Sequence, residues 1–146
     1  MTSLSSETLH ATSIAIEGHA VLIEGRSGSG KSDLALRLID RGAVLVSDDY
    51  TLLVRRDGRL LARPPATIAG RIEVRGLGIL PMPHVEDVPV VLIVRIDDDV
   101  LRMPERRARR LAGIEVPQVA LAPFEASAPI KLEMALRREL GGTQSA

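Results

Sequence analysis

The sequence has no cysteine and no tryptophan, and it has a single tyrosine and a single phenylalanine. Without cysteine the chain can form neither a disulfide nor a thiolate metal site, which fits a reducing compartment. Aromatic residues make up 1% of the chain, against 45% hydrophobic residues in all. The core is therefore expected to be aliphatic, built from Leu, Val, Ile and Ala. Neither sign of charge dominates, because 19 Lys and Arg balance 19 Asp and Glu. No overall field draws the chain to nucleic acid or to an anionic membrane, so a partner has to be recognised by a local patch. No apolar run approaches the ~20 residues that cross a bilayer. Residues 1–11 also lack the basic start and apolar centre of a signal peptide. The expectation is a cytoplasmic protein of one domain, since 146 residues suffice for a single core.

What is present is concentrated in Gly25-Arg26-Ser27-Gly28-Ser29-Gly30-Lys31-Ser32. This octapeptide follows the apolar run Ala20-Val21-Leu22-Ile23 and precedes Leu34, Leu36, Leu38 and Ile39, so G-x-x-x-x-G-K-S stands between a strand and a helix. Its glycines let the backbone wrap a phosphate chain with N–H groups pointing inward, above the positive end of the following helix. Lys31 can reach the outer phosphates, and the Ser32 hydroxyl can serve Mg²⁺.

The rest of the chain reads as one α/β domain over residues 9–140, between a flexible N-terminus at 1–8 and a disordered tail at 141–146. Residues 9–16 read as a strand joined through Glu17-Gly18-His19 to the P-loop strand as a hairpin. The helix after the P-loop stops at Arg41-Gly42. Ala43-Val44-Leu45-Val46 then forms a strand ending in Ser47-Asp48-Asp49. In a βαβ unit of this kind the carboxyl ends of both strands open on one edge, placing Asp48 and Asp49 beside the phosphates. Residues 52–62 read as a hairpin turning at Asp57-Gly58. Residues 67–80 start as a short helix or form a shaped loop that runs into a strand, with three glycines favouring the loop. Residues 88–96 read as a buried strand, and 113–122 as a short one placed at an edge by Pro117. Residues 130–140 read as an amphipathic helix carrying Ile130, Met134 and Leu140.

Phosphoryl transfer to a hydroxyl needs a nucleotide cradle, a metal, a proton acceptor and positive charge. Adjacent carboxylates on a strand face opposite ways, so Asp48 and Asp49 can divide the work between metal and acceptor; the alternative is a polar strand end that caps a helix. Glu73 and Arg75 share a face of an extended segment, either toward a ligand or as a surface ion pair. A lone His10 at a strand start is more often structural, and His19 and His84 carry a weaker signal. Asp97-Asp98-Asp99 reads as a solvated turn. The basic run 102–110 suits a phosphate or an acidic partner, or a solvated face.

Taken together, His10, the P-loop octapeptide, Val46-Ser47-Asp48-Asp49 and Ile72-Glu73-Val74-Arg75-Gly76-Leu77-Gly78-Ile79 closely resemble the catalytic domain of HPr kinase/phosphorylase. The resemblance implies a P-loop kinase fold akin to phosphoenolpyruvate carboxykinase, a mixed sheet with hairpins and a C-terminal helix. It implies a serine kinase that uses ATP and Mg²⁺ on HPr, the small phosphocarrier of the bacterial sugar phosphotransferase system, and a homo-oligomer, hexameric in that family. Residues 25–32 would bind ATP. His10 matches the histidine that assists the catalytic aspartate, Lys31 the P-loop lysine, and Ser32 and Glu73 the Mg²⁺ ligands. Asp49 matches the proton acceptor, with Asp48 a supporting carboxylate near the metal. Arg75 belongs to the family-specific segment, and Arg102 best matches a further active-site arginine. Two departures stand out. Longer members carry an N-terminal domain, so a short form consisting of the catalytic domain is expected. The loop linked to phosphorolysis falls at residues 122–129, which hold no basic residue. The competing readings are a P-loop ATPase or small-molecule kinase, and a non-catalytic nucleotide sensor.

Overall fold

The computed structural model describes residues 5–97 and 99–141. Residues 1–4 of the expected N-terminal lead-in and residues 142–146 of the expected tail lie outside the described residues, as does Asp98. The elements in order are β1 (Ser6–Leu9), β2 (Ala11–Ile16), β3 (His19–Glu24), α1 (Lys31–Asp40), β4 (Val44–Ser47), β5 (Thr51–Arg56), β6 (Arg59–Arg63), β7 (Arg71–Val74), β8 (Gly78–Pro81), β9 (Val88–Ile96), β10 (Arg107–Leu111), β11 (Ile114–Leu121) and α2 (Ala128–Leu140).

Three two-residue turns build the hairpins. Glu17-Gly18, Asp57-Gly58 and Ala112-Gly113 all take positive φ at both positions, the backbone twist that suits tight antiparallel pairs. Ala112, at φ 48°, is the costly member, and its N–H is held by Glu7 Oε2 at 2.7 Å. The main sheet runs β1-β5-β6-β9-β3-β2-β4, while β7 and β8 form a small sheet of their own. One edge of β9 pairs in parallel with β3. Its other edge is shared: β6 takes Val88 and Pro89, and β11 takes Ile93 to Ile96. β2 lies between β3 and β4 and is antiparallel to both, so the two strands flanking α1 run parallel without touching. Their carboxyl ends open on one edge, as expected for the unit around the P-loop.

Because β3 and β9 are covered on both faces, their alternate residues feed two cores. Val21, Ile23, Leu92 and Val94 pack with Leu34 and Leu38 of α1 and with Leu132 and Leu136 of α2. Ala20, Leu22 and Ile93 pack beneath Leu53, Leu60, Leu111 and Val116 from the hairpins. Every large side chain in both sets is aliphatic.

Four expectations need correction. Residues 6–8, read as part of a flexible lead-in, belong to β1, which pairs with β5 from Ser6↔Val54 to Leu9↔Thr51. Residues 67–80, read with a loop favoured over a short helix before a strand, hold two paired strands instead; β7 and β8 form a hairpin, and Arg75 sits in its turn. β11 is no edge strand, since β10 and β9 flank it. Pro117 is tolerated because pairing with β9 starts only at Gln118. The buried face of α2 carries Ala128, Pro129, Leu132 and Leu136, whereas Ile130, Met134 and Leu140 are exposed. The pairs Leu132–Leu136 and Ile130–Met134 both satisfy i, i+4 spacing, and docking against β9 and β11 selects between them.

That choice is testable by urea denaturation. Leu132→Ala should cost about 2–4 kcal/mol and Met134→Ala less than about 0.5 kcal/mol. Equal losses would contradict the assigned helix face.

Candidate active site

The P-loop joins β3 to α1 with a conformation that only small residues allow. A Cβ on Gly25 would lie 2.6 Å from Ser29 Oγ and 3.2 Å from Ile96 Cβ. Gly30 caps α1 at φ 106°, where a side chain would be strained. The Ser29 N–H closes the turn onto the Arg26 carbonyl at 3.0 Å. Lys31 is buried, its Nζ folded back to donate to the carbonyls of Gly25 at 2.9 Å and Arg26 at 3.1 Å. The ammonium thus lies within the loop, beside the N-terminus of α1 with its unpaired N–H groups.

Asp48, at the end of β4, accepts three hydrogen bonds from three elements. Thr12 Oγ1 donates to Oδ1 at 3.0 Å, Ser32 Oγ to Oδ1 at 2.7 Å, and the Glu73 N–H to Oδ2 at 2.8 Å. The adjacent Asp49 turns the other way. Its backbone takes φ 68°, and its N–H donates to Thr12 Oγ1 at 3.1 Å. Its side chain is 56% exposed and accepts from His10 Nε2 at 2.8 Å. His10 in turn stacks on Tyr50, with ring centroids 4.8 Å apart and planes at 23°. Buried hydroxyls brace the turn: Ser13 Oγ meets Thr51 Oγ1 at 2.8 Å, Thr51 donates to the Ala11 carbonyl at 2.9 Å, and Ser47 donates to the Tyr50 carbonyl.

Between the loop and these carboxylates lies a cavity of about 600 Å³. Lys31, Ser32, Asp48 and Asp49 line it together with Glu73 and Arg75. His10 reaches the site through Asp49. Of the predicted P-loop residues, Ser27, Gly28 and Gly30 also line the cavity, while Gly25, Arg26 and Ser29 shape the loop behind it. Arg102 is not brought in: it is exposed in the connection between β9 and β10 and does not line the cavity. Among the described residues no three acidic or histidine side chains converge to hold a metal ion. In the turn after β9 the Asp99 N–H donates to Asp97 Oδ1 at 3.1 Å.

Three residues escaped the sequence reading. Thr12 follows His10 by two positions, and that strand-like spacing was the available signal. Tyr50 follows the carboxylate pair directly. Phe124 reaches the cavity from the loop after β11, its ring within 3.0 Å of the point a Gly30 Cβ would occupy. Arg37 holds that loop by donating to the carbonyls of Pro123 and Glu125. No local pattern announces such a contact.

The family described as HPr serine kinase C-terminal domain matches residues 2–87 of the chain. The HPr kinase/phosphorylase of Clostridium tetani is 41% identical over 93 residues, which cover 63% of this chain and 30% of that protein. The HPr kinase/phosphorylase of Clostridium beijerinckii is 47% identical over 78 residues, covering 53% of this chain and 26% of that protein. The matched part thus spans less than a third of these relatives. Among solved structures, the HPr(Ser) kinase/phosphatase from Coxiella burnetii superposes with a TM-score of 0.82 at 29% identity, covering 94% of this chain and 92% of that one.

The two carboxylates should differ in what they contribute to stability. Asp48→Asn sets an amide NH₂ against groups that already donate, and should cost about 1–3 kcal/mol. Asp49→Asn, largely exposed and with a single partner, should cost less than about 0.5 kcal/mol. Thermal melts of the two variants check the contrast.

Proposed function

This chain belongs to the HPr serine kinase C-terminal domain family, and from that premise we propose that it transfers the terminal phosphoryl group of ATP to a serine hydroxyl of an HPr-type phosphocarrier. The observation that carries the reading is the exposed Asp49 carboxylate, backed by His10 and facing the same cavity as the P-loop. The names of the relatives and of the solved neighbour supply the carrier.

In this reading residues 25–32 cradle the phosphates through backbone N–H groups at the start of α1. Lys31 leaves the Gly25 and Arg26 carbonyls for the outer phosphates. Ser32, Asp48 and Glu73 offer hard oxygen ligands of the kind Mg²⁺ prefers alongside phosphate and water. The ion would supply charge neutralisation on the outer phosphate oxygens. Asp49 accepts the proton of the serine hydroxyl as its oxygen bonds to the γ-phosphorus, and ADP departs with the electron pair of the broken P–O bond. His10 holds the Asp49 carboxylate toward the incoming hydroxyl. Arg75, exposed at the rim, provides positive charge close to the transferring group. The reading includes a cytoplasmic homo-oligomer, hexameric as the resemblance implies, that binds neither nucleic acid nor membrane. Among the described residues no helix is long and apolar enough to cross a membrane.

Two outcomes are expected when the protein, Mg-ATP and a purified HPr-type carrier are incubated and the carrier is weighed by mass spectrometry, and a third in the reverse direction. Lys31→Ala should abolish phosphorylation without unfolding the domain. Asp49→Asn should lower transfer by at least about 100-fold while ATP still binds, because an amide cannot take the proton. If Asp48→Asn is the more damaging to the chemical step, the assigned roles are reversed. Finally, the serine-phosphorylated carrier in millimolar phosphate without ATP should release pyrophosphate slowly or not at all. Residues 122–129 bring no side-chain cation to a second anion. A release rate matching the forward reaction would refute this direction preference.

A further inference from the structure

Thr12 has no place in the phosphoryl-transfer scheme, yet it touches both aspartates that do, the carboxylate of Asp48 and the backbone of Asp49. It is fully buried in β2. Its one hydroxyl donates to Asp48 Oδ1 at 3.0 Å and accepts the Asp49 N–H at 3.1 Å. Resting on the transfer reading above, we propose that Thr12 is a positioning residue whose hydroxyl turns the two neighbouring aspartates to opposite tasks, Asp48 inward to Ser32 and Asp49 outward to the acceptor.

Consecutive residues of a regular strand already face opposite ways, but β4 ends at Ser47 and the chain then kinks. Asp49 sits at φ 68°, a conformation that L residues adopt at a cost and that needs support from its surroundings. The support has two points. His10 binds the Asp49 carboxylate, and Thr12, two residues on, binds the Asp49 backbone. The kink is also tied by the Tyr50 N–H, which donates to the Asp48 carbonyl at 2.7 Å. Only a group that donates and accepts at one oxygen can serve a carboxylate and an N–H together, which restricts the position to a hydroxyl. Threonine adds a γ-methyl that restricts χ1 and so aims the hydroxyl. With the hydroxyl removed, the Asp49 N–H is left without its partner and the kink is free to relax. The Asp49 carboxylate then swings away from the point where serine must stand, while the P-loop is untouched.

The test compares wild type, Thr12→Val and Thr12→Ser. In the ligand-free protein, hydrogen exchange at the Asp49 amide should quicken by about tenfold or more in Thr12→Val and stay at the wild-type rate in Thr12→Ser. With ATP and an HPr-type carrier, Thr12→Val should lower kcat about 10- to 100-fold without raising KM for ATP. Thr12→Ser should restore kcat. A wild-type kcat in Thr12→Val, or an unchanged Asp49 exchange rate, overturns the proposal. A kcat loss shared by Thr12→Ser also overturns it, because the role would then belong to the methyl group; this arm decides even if Thr12→Val does not fold. If the wild type transfers nothing to the carrier, the transfer reading fails instead, and the exchange measurement still judges the hold on Asp49.

Discussion

One nearly buried carboxylate ties the active edge together. Asp48 accepts from β2 through Thr12, from α1 through Ser32 and from β7 through the backbone of Glu73. An ionised carboxylate only accepts, and all three partners donate, so its charge is stabilised by neutral donors. The start of α1 adds the favourable field of a helix N-terminus. Among the described residues the β7–β8 hairpin has no strand pairing to the main sheet, and this bond, with Ile72 buried in the α1 core, helps hold it at the cavity. The same carboxylate thus secures the element that carries Glu73 and Arg75.

A second charged contact secures the other side of the P-loop. Glu24, the last residue of β3, receives Arg109 of β10 at 2.7 and 2.8 Å, a two-pronged guanidinium–carboxylate pair. The hydrogen bond to Glu24 raises the Arg109 pKa above its ordinary value, against the partial burial that opposes it. The β10–β11 hairpin is thereby pinned to the strand that launches the loop. Both flanks of the cradle are fixed by carboxylates, Glu24 at the end of β3 and Asp48 just past β4, and the cradle itself needs only glycine and a turn.

Local chemistry made much of this readable in advance. The P-loop follows from glycine and lysine spacing, and two of the three tight turns are written as Glu-Gly and Asp-Gly. The apolar run 88–96 matches β9 residue for residue. Failures came where tertiary contacts choose between locally equal options. The sequence of α2 carries two apolar stripes, and only the packing surface under the helix distinguishes Leu132 from Met134. Ala112-Gly113 is a poor turn signal, and its strain is met by Glu7 from 105 positions away. Arg102 was assigned by resemblance along a basic stretch, where spacing cannot tell a side chain at the cavity from one in solvent. Thr12 went unread despite its offset from His10, because its weight depends on a kink at Asp49 that no local pattern foretells.

The scarcity of aromatic residues has a spectroscopic consequence. Tyr50 is the chain's single tyrosine, there is no tryptophan, and its ring lies against His10 beside the Asp49 carboxylate. Excited beyond the absorption of the single phenylalanine, the intrinsic fluorescence of this protein therefore comes from one position, in contact with the histidine that holds the proton acceptor. Displacement of that imidazole changes the whole tyrosine emission, with no engineered label to disturb the site.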